Sequence, residues 1–460
     1  GGNSDEGGRM GLVGRLKYDF DSRYYIEGSF RYDGSDNFAP GHRWGFFPSV
    51  ALAWDITEEP FFKNLNLKNV NLLKLRGSYG QTGTESGVNR FGYLSTYSLA
   101  ENAICIGGNL QSGFNEGALV SPELLSWYTR NSLNYGIDVA FFNHRLKGSA
   151  DYFFYVTKGG LVSPADRYVV PLGTALPQIK SENEHRREGF EASLRWDDKI
   201  GSDFYYEVGT NMTYYNNLYV KNQGEALSDL KNPYKRSTHQ TDYYGIMYMD
   251  NGLYQTPEQV LGVPRRLQSS ATKLGDIAYE DINGDGKVDG EDQVRWGMPS
   301  APHFTYGFDF VLGYKGFTLS GLLYGTGKRN MEFGVTTKKN EAIWVLNDYQ
   351  LDYWREDNRD ATFPRISLEA LPNGSNNQAA STFWVKNASF LRLKNLTLEY
   401  DFKYKLLRNV KWLSTCRANI TGANLFTISN VMDYFDPETT STNGGYPVQR
   451  VYSLGVTIGF

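Results

Sequence analysis

The chain has 460 residues, with 47 Lys and Arg against 51 Asp and Glu for a formal net charge of -4, 15% aromatic residues and 49 glycines. That charge balance gives no electrostatic basis for binding nucleic acid. No apolar run approaches the roughly 18 residues that a membrane-crossing helix needs, so helical membrane proteins are excluded, and soluble domains or a β-barrel diluted by alternation are left. The two cysteines, Cys105 and Cys416, are far apart and read as free thiols rather than a disulfide framework.

Alternation begins early. Met10, Leu12, Leu16, Tyr18 and Phe20 interleave with Arg15, Lys17 and Asp19; after Asp21-Ser22, the residues Tyr24, Ile26, Phe30 and Tyr32 interleave with Glu27, Arg31 and Asp33. This predicts a hairpin with one apolar face. A Gly, Pro and Asn loop leads to a third strand through Val50, Leu52, Trp54 and Ile56, and a fourth follows through Leu73, Leu75 and Tyr79. An irregular stretch of about 80–126 precedes Leu133, Tyr135, Ile137, Val139 and Phe141, which turn at Asn143-His144 into Ala150, Tyr152, Phe154 and Val156. After a loop of about 158–186 come Phe190, Leu194 and Trp196, then Phe204, Tyr206, Val208, Met212 and Tyr214. The longest irregular span, about 216–302, ends at Phe304, Tyr306, Phe308, Phe310 and Leu312, which pair through Lys315-Gly316 with Phe317, Leu319 and Leu323. A loop of about 326–382 leads to a long strand over 383–404 whose parity slips between Leu393 and Leu396, where a bulge is expected. Residues 412–426, a loop of about 427–450 and the terminal strand complete the chain.

In that last strand Tyr452, Leu454, Val456, Ile458 and Phe460 share one face, and Ser453, Gly455, Thr457 and Gly459 the other. A terminal strand ending on an aromatic, apolar on one side and small or polar on the other, is the expected barrel-assembly signal of an outer-membrane protein. Short connections alternate strictly with long ones along the chain, as they do when short turns occupy one rim of a transmembrane barrel and long loops the other. The reading is an all-β, transmembrane antiparallel β-barrel. About thirteen strands are present, and because bacterial barrels have even numbers, an odd number of further strands is expected upstream.

One loop suggests a metal. Asp281, Asn283, Asp285, Asp289 and Asp292 supply oxygens at positions one, three, five, nine and twelve of a calcium loop, Gly286 sits at the sharp turn, and the carbonyl of Lys287 serves at position seven. Position twelve is Asp rather than Glu, and Met298, Pro299 and Pro302 occupy the place of an exit helix. The expectation is therefore a structural Ca2+ site rather than a sensor, and the alternative is an Asx-rich turn without metal. Trp344, Tyr349, Tyr353 and Trp354, with Tyr243 and Tyr244, are candidate ligand-binding aromatics; the alternative places the first group on a small helix at the barrel mouth. Tyr24, Tyr32, Trp44, Trp54, Trp127 and Trp196 fit an interfacial girdle better than a binding site. No catalytic arrangement is present: the five histidines lie in turns or at strand ends, and no Gly-x-Ser-x-Gly or His-Glu-x-x-His spacing occurs.

The sequence resembles the SusC/RagA-type TonB-dependent outer-membrane transporters of Bacteroidetes. The resemblance is carried by Arg31-Tyr-Asp-Gly-Ser-Asp-Asn-Phe38, Arg43-Trp-Gly-Phe-Phe-Pro-Ser-Val50, Leu75-Arg-Gly-Ser-Tyr-Gly80, the Asp281 loop, Tyr353-Trp-Arg-Glu-Asp-Asn358, Ala423-Asn-Leu-Phe-Thr427 and the terminal strand. It implies a barrel of about 22 strands around an N-terminal plug, with plug and TonB box expected outside residues 1–460. It also implies active import of a glycan or oligopeptide in the outer membrane of a Gram-negative bacterium. The partners it implies are TonB, a SusD-like surface lipoprotein, outer-membrane lipid and the protein's own plug. A passive porin and a soluble calcium-dependent carbohydrate-binding protein are the alternatives.

Overall fold

Period-two alternation becomes thirteen long wall strands in the computed structural model, which describes residues 7–94, 97–116, 125–162, 179–262, 265–266, 272–332, 351–366, 376–431, 435–438 and 448–460. They are β1 (Arg9–Phe20), β2 (Tyr24–Ser35), β3 (Trp44–Asp55), β4 (Val70–Thr84), β5 (Tyr128–Phe141), β6 (Leu146–Lys158), β7 (Glu184–Ile200), β8 (Phe204–Lys221), β9 (Phe304–Tyr314), β10 (Phe317–Thr326), β11 (Phe390–Asp401), β12 (Thr415–Ala423) and β13 (Val451–Gly459). The chain divides into two compact units, Gly1–Leu194 with Tyr215–Thr241, and Arg195–Tyr214 with Asp242–Phe460.

In the first unit the neighbours run β1-β2-β3-β4-β5-β6-β7. Antiparallel register sets Tyr18 opposite Ile26, Ile26 opposite Leu52, Leu52 opposite Gly77, Gly77 opposite Tyr135 and Tyr135 opposite Tyr152. Apart from Gly77, that row is exposed, from 46% at Tyr152 to 58% at Tyr18. In the second unit the first half of β8 leads through β9, β10, β11 and β12 to β13. There Tyr206, Leu312, Leu319, Leu398, Ile420 and Leu454 form the corresponding row, half-buried in its first three members and exposed in its last three. Among the described residues β1 pairs only with β2, and β13 only with β12.

Backbone chemistry explains the short connections. Lys315 and Gly316 both take positive φ (47° and 86°), the conformation that lets a two-residue turn match strand twist between β9 and β10. Asp21 and Ser22 also take positive φ (53° and 52°), in the longer turn that leads through Arg23 from β1 to β2. Close cross-strand packing explains Gly313: a Cβ there would lie 1.8 Å from the Tyr205 ring.

The expected bulge is present. Leu322 faces Asn395 and Leu323 faces Leu393, which leaves Lys394 as the extra residue. Other boundaries differ. β3 starts at Trp44, and Ile56 lies in a 3-10 turn capped by Asp55. β4 continues to Thr84 and β8 to Lys221, because polar residues can extend a ladder whose partner strand continues. Residues 383–389 do not belong to β11; Val385–Asn387 pairs with Asn330–Glu332 instead. Inside the 80–126 stretch the strands Tyr97–Ile106 and Asn109–Glu116 form a separate hairpin.

The long connections of the second unit build their own core. Ile277, Tyr279, Val288, Met331, Phe363, Trp384, Ala388 and Val431 are buried together, drawn from three loops.

Candidate functional site

The wall has two chemically distinct faces. Opposite the apolar rows, Ser29 hydrogen-bonds Ser49, Ser149 bonds Ser193 and Thr397 bonds Thr421. Guanidinium groups bridge carboxylates of adjacent strands on this polar face. Arg76 reaches Asp138 at 2.8 Å and Asp151 at 3.0 Å, and Arg195 pairs with Glu207 and with Asp309 at 3.1 Å. Such partly exposed ion pairs contribute little each, and their use here is to keep a charged face ordered. The alternating Arg, Asp and Glu positions carry the sequence signal for this face.

Toward the long loops of the first unit the polar face opens into a cavity of about 820 Å³. Arg9, Arg31, Asp33, Gln81, Thr82 and Glu85 line it, with Phe47 and Trp127 as its apolar part. Arg9 pairs with Glu85, and Arg31 Nε donates to Asp33 at 2.9 Å.

Trp127 corrects one expectation. It is not a girdle residue: its ring packs 5.4 Å from Phe38 and 5.5 Å from Phe47, and Nε1 donates to the Arg43 carbonyl at 2.9 Å. It precedes β5, so strand parity does not dictate its direction, and two loop-side phenylalanines capture it. Tyr24, Tyr32 and Trp44 do lie exposed on the apolar face, with Trp44 stacked on Tyr32 at 4.8 Å. Trp54 donates to Glu59 and Trp196 to the Tyr206 hydroxyl, each pairing an apolar ring with a polar tip.

The 281–292 loop closes on its own backbone. Asp281 accepts from the amides of Gly284, Asp285 and Gly286; Asn283 accepts from Asp285. Asp285 accepts from Lys287, and Asp289 caps a 3-10 turn by accepting from Glu291. Asp292 is fully buried and accepts from Ile282, Asn283 and Asp289. Among the described residues no three His, Cys, Asp or Glu side chains are grouped as metal ligands.

Of the candidate aromatics, Trp344 and Tyr349 lie outside the described residues. Tyr353 packs against the loop core, and Trp354, 7% exposed, donates from Nε1 to Gln255 at 2.9 Å. Tyr243 carries the Arg295 guanidinium 3.7 Å above its ring. Tyr244 accepts from the Glu332 amide; burial, with the Glu332 charge behind it, pushes its phenol up. Tyr452, Leu454, Val456, Ile458 and Phe460 are all exposed, Leu454 at 81%.

Residues 2–425 match the family model of the TonB dependent receptor-like β-barrel. The chain belongs to this family. Among its relatives, TonB-dependent receptor P3 of Formosa agariphila is 27% identical over 479 residues, covering 98% of this chain and 45% of that protein. TonB-dependent receptor SusC of Bacteroides thetaiotaomicron is 27% identical over 469 residues, covering 98% and 44%. The chain therefore spans about half the length of the curated relatives it matches. Among solved structures, the RagAB peptide importer in its open-open state aligns with a TM-score of 0.76 at 20% identity, covering 98% of this chain and 47% of that one. At that identity the match establishes the fold.

Members of this family are outer-membrane receptors and transporters of Gram-negative bacteria rather than enzymes. The exposed apolar rows are thus the lipid-facing side of a barrel wall, and the ion-paired face looks inward. A soluble carbohydrate-binding module would need the Tyr452 to Phe460 face packed in protein, and that face is exposed.

Proposed function

We propose that this chain supplies wall strands and extracellular loops to an active importer of a nutrient, a glycan or an oligopeptide. Import is energised through TonB acting on the protein's own plug, and a SusD-like surface lipoprotein delivers the substrate. The observation that carries this reading is the pairing of a lipid-facing apolar row with an ordered polar inner face, in a chain of the TonB-dependent receptor family. In this reading the long connections face outward and the tight turns face the periplasm.

Purification from outer membranes in detergent is expected to recover a lipoprotein with this protein, and uptake of its nutrient is expected to stop when TonB is deleted. Uptake that persists without TonB would leave a passive pore. We also propose a structural Ca2+ in the 281–292 loop, on its donor set: carboxylate, amide and carbonyl oxygens at alternating positions are what a hard cation takes. Chelation is expected to raise amide exchange across 281–292 and leave the wall strands protected, and Asp285→Ala is expected to lower bound metal. Equal calcium content in the variant ends the metal proposal, and the loop then stands on its backbone hydrogen bonds.

A further inference from the structure

The arginines on the polar face of the first unit divide by what their guanidiniums meet. One set is ion-paired: Arg15 meets Glu27 at 2.6 Å, Arg76 bridges two aspartates, and at the long-loop end Arg9 pairs with Glu85 and Arg31 with Asp33. Toward the long loops, Arg130 on β5 and Arg187 on β7 meet no carboxylate among the described residues. Arg130 sits 4.9 Å from the Tyr155 ring centroid, and Arg187 lies 4.6 Å from Tyr215 and 5.9 Å from Tyr155. Phe153 stacks on Tyr155 at 5.7 Å. Arg130 donates from Nε to Thr157 at 3.4 Å; Arg187 donates from Nε to Asn217 and from Nη1 to the Tyr155 hydroxyl at 3.5 Å. Each guanidinium has five N–H donors, so most of them stay available along the edges of planes whose faces are stacked.

One edge of this platform borders a strand that lines the cavity. Arg130 is the register partner of Thr82 on one side and of Thr157 on the other, and Thr82 lines the 820 Å³ space. Two cations without a carboxylate partner among the described residues, backed by three aromatic rings, are arranged for a ligand that brings its own anion and a flat apolar face.

We propose that the Arg130–Arg187 platform binds a carboxylate-bearing oligosaccharide, with a uronate group held between the guanidiniums and a sugar face against Tyr155 and Tyr215. A peptide backbone fits less well, because its N–H groups need acceptors and the amide oxygen in the platform, Asn217 Oδ1, already accepts from Arg187. A neutral sugar would stack but leave both cations without an anion. The inference rests on the import reading only for why a ligand reaches this face.

The test is isothermal titration of the protein purified from outer membranes in detergent, using tetragalacturonate, maltotetraose and tetraglutamate. Tetragalacturonate is expected to bind with an affinity that falls as salt rises, and maltotetraose to bind about tenfold or more weakly. Arg187→Gln is expected to weaken tetragalacturonate about tenfold or more, Arg130→Gln to act in the same direction, and Arg187→Lys to fall between wild type and Arg187→Gln. A heat-modifiable band on electrophoresis confirms that each variant keeps its barrel. Unchanged affinity in both Gln variants overturns the proposal, as does maltotetraose or tetraglutamate binding as tightly as tetragalacturonate. If tetragalacturonate fails while TonB-dependent uptake of another nutrient persists, this inference falls and the importer stands. Binding without any TonB-dependent uptake supports the platform and sinks the importer.

Discussion

Two apolar populations in the second unit obey opposite rules. The wall row of Leu398, Ile420 and Leu454 is 46%, 56% and 81% exposed, whereas Ile277, Met331 and Trp384 in the loop core are 0%, 1% and 3% exposed. The residue types are alike; the solvent differs. Wall side chains have lipid outside them and need no protein partner, so their order comes from the backbone ladder, which pairs N–H with C=O from strand to strand. The loop core has water outside it and must bury its side chains as a soluble domain does. Its backbone is short of strand partners, and side-chain amides stand in: Asn377 Oδ1 accepts from the Ile277 amide at 2.9 Å, and Asn376 Nδ2 donates to the Ile277 carbonyl at 2.6 Å.

The sharpest way to break this comparison is to empty each region in turn. Trp384 packs on Phe363 at 6.3 Å and Phe383 at 5.1 Å and donates to the Asn377 carbonyl. Trp384→Ala is expected to cost about 3–5 kcal/mol, confined to the loops. Limited proteolysis should cut the loops faster while the barrel keeps its heat-modifiable band. Loss of that band together with the loops would mean that the wall depends on the loop core, and the two regions would not be separate solutions.

A smaller effect tests the wall. Ile420 and Thr421 are neighbours on β12 that face opposite sides. Ile420→Arg places a cation in hydrocarbon and is expected to cost about 2–4 kcal/mol near the membrane midplane. Thr421→Arg enters the polar face and loses one hydrogen bond to Thr397, about 1 kcal/mol. Equilibrium unfolding from lipid vesicles measures both, and equal losses would refute the assignment of faces.

The wall was readable because each strand carries its answer locally. Parity alone puts Leu398, Ile420 and Leu454 each on the apolar face of its own strand, and the parity slip near Leu393 marks the bulge at Lys394. The loop core was not readable because Ile277, Met331, Phe363 and Trp384 share no period and meet only after three connections fold against one another. Trp127 failed for a related reason: outside a strand no parity rule applies, and its direction depends on Phe38 and Phe47, far away in sequence. The charged residues of the polar face were visible in the alternation, but which Arg meets which Asp depends on register between strands. The 281–292 carboxylates were legible as a turn and as a candidate metal loop alike, since both use the same residues at the same spacing.

The smallest expected effect separates the regions by pH. Asp352 accepts hydrogen bonds from the Asn358 side chain at 3.0 Å and the Thr362 amide at 3.1 Å, and these hold its carboxyl below the usual carboxylate range. A depressed folded-state value means that its stabilisation is complete above the ordinary carboxylate value and is lost as pH falls through the lower one. The 351–366 segment is therefore expected to lose hydrogen-exchange protection at Thr362 as the solution is acidified past that point, while the β9 to β12 ladder keeps its own. Asp352→Asn removes the charge that titrates, so in the variant the Thr362 protection should start lower and change less with pH. A wild-type Thr362 amide whose protection tracks that of the wall strands at every pH would show the loop and wall opening as one unit, and the comparison between them would have to be given up.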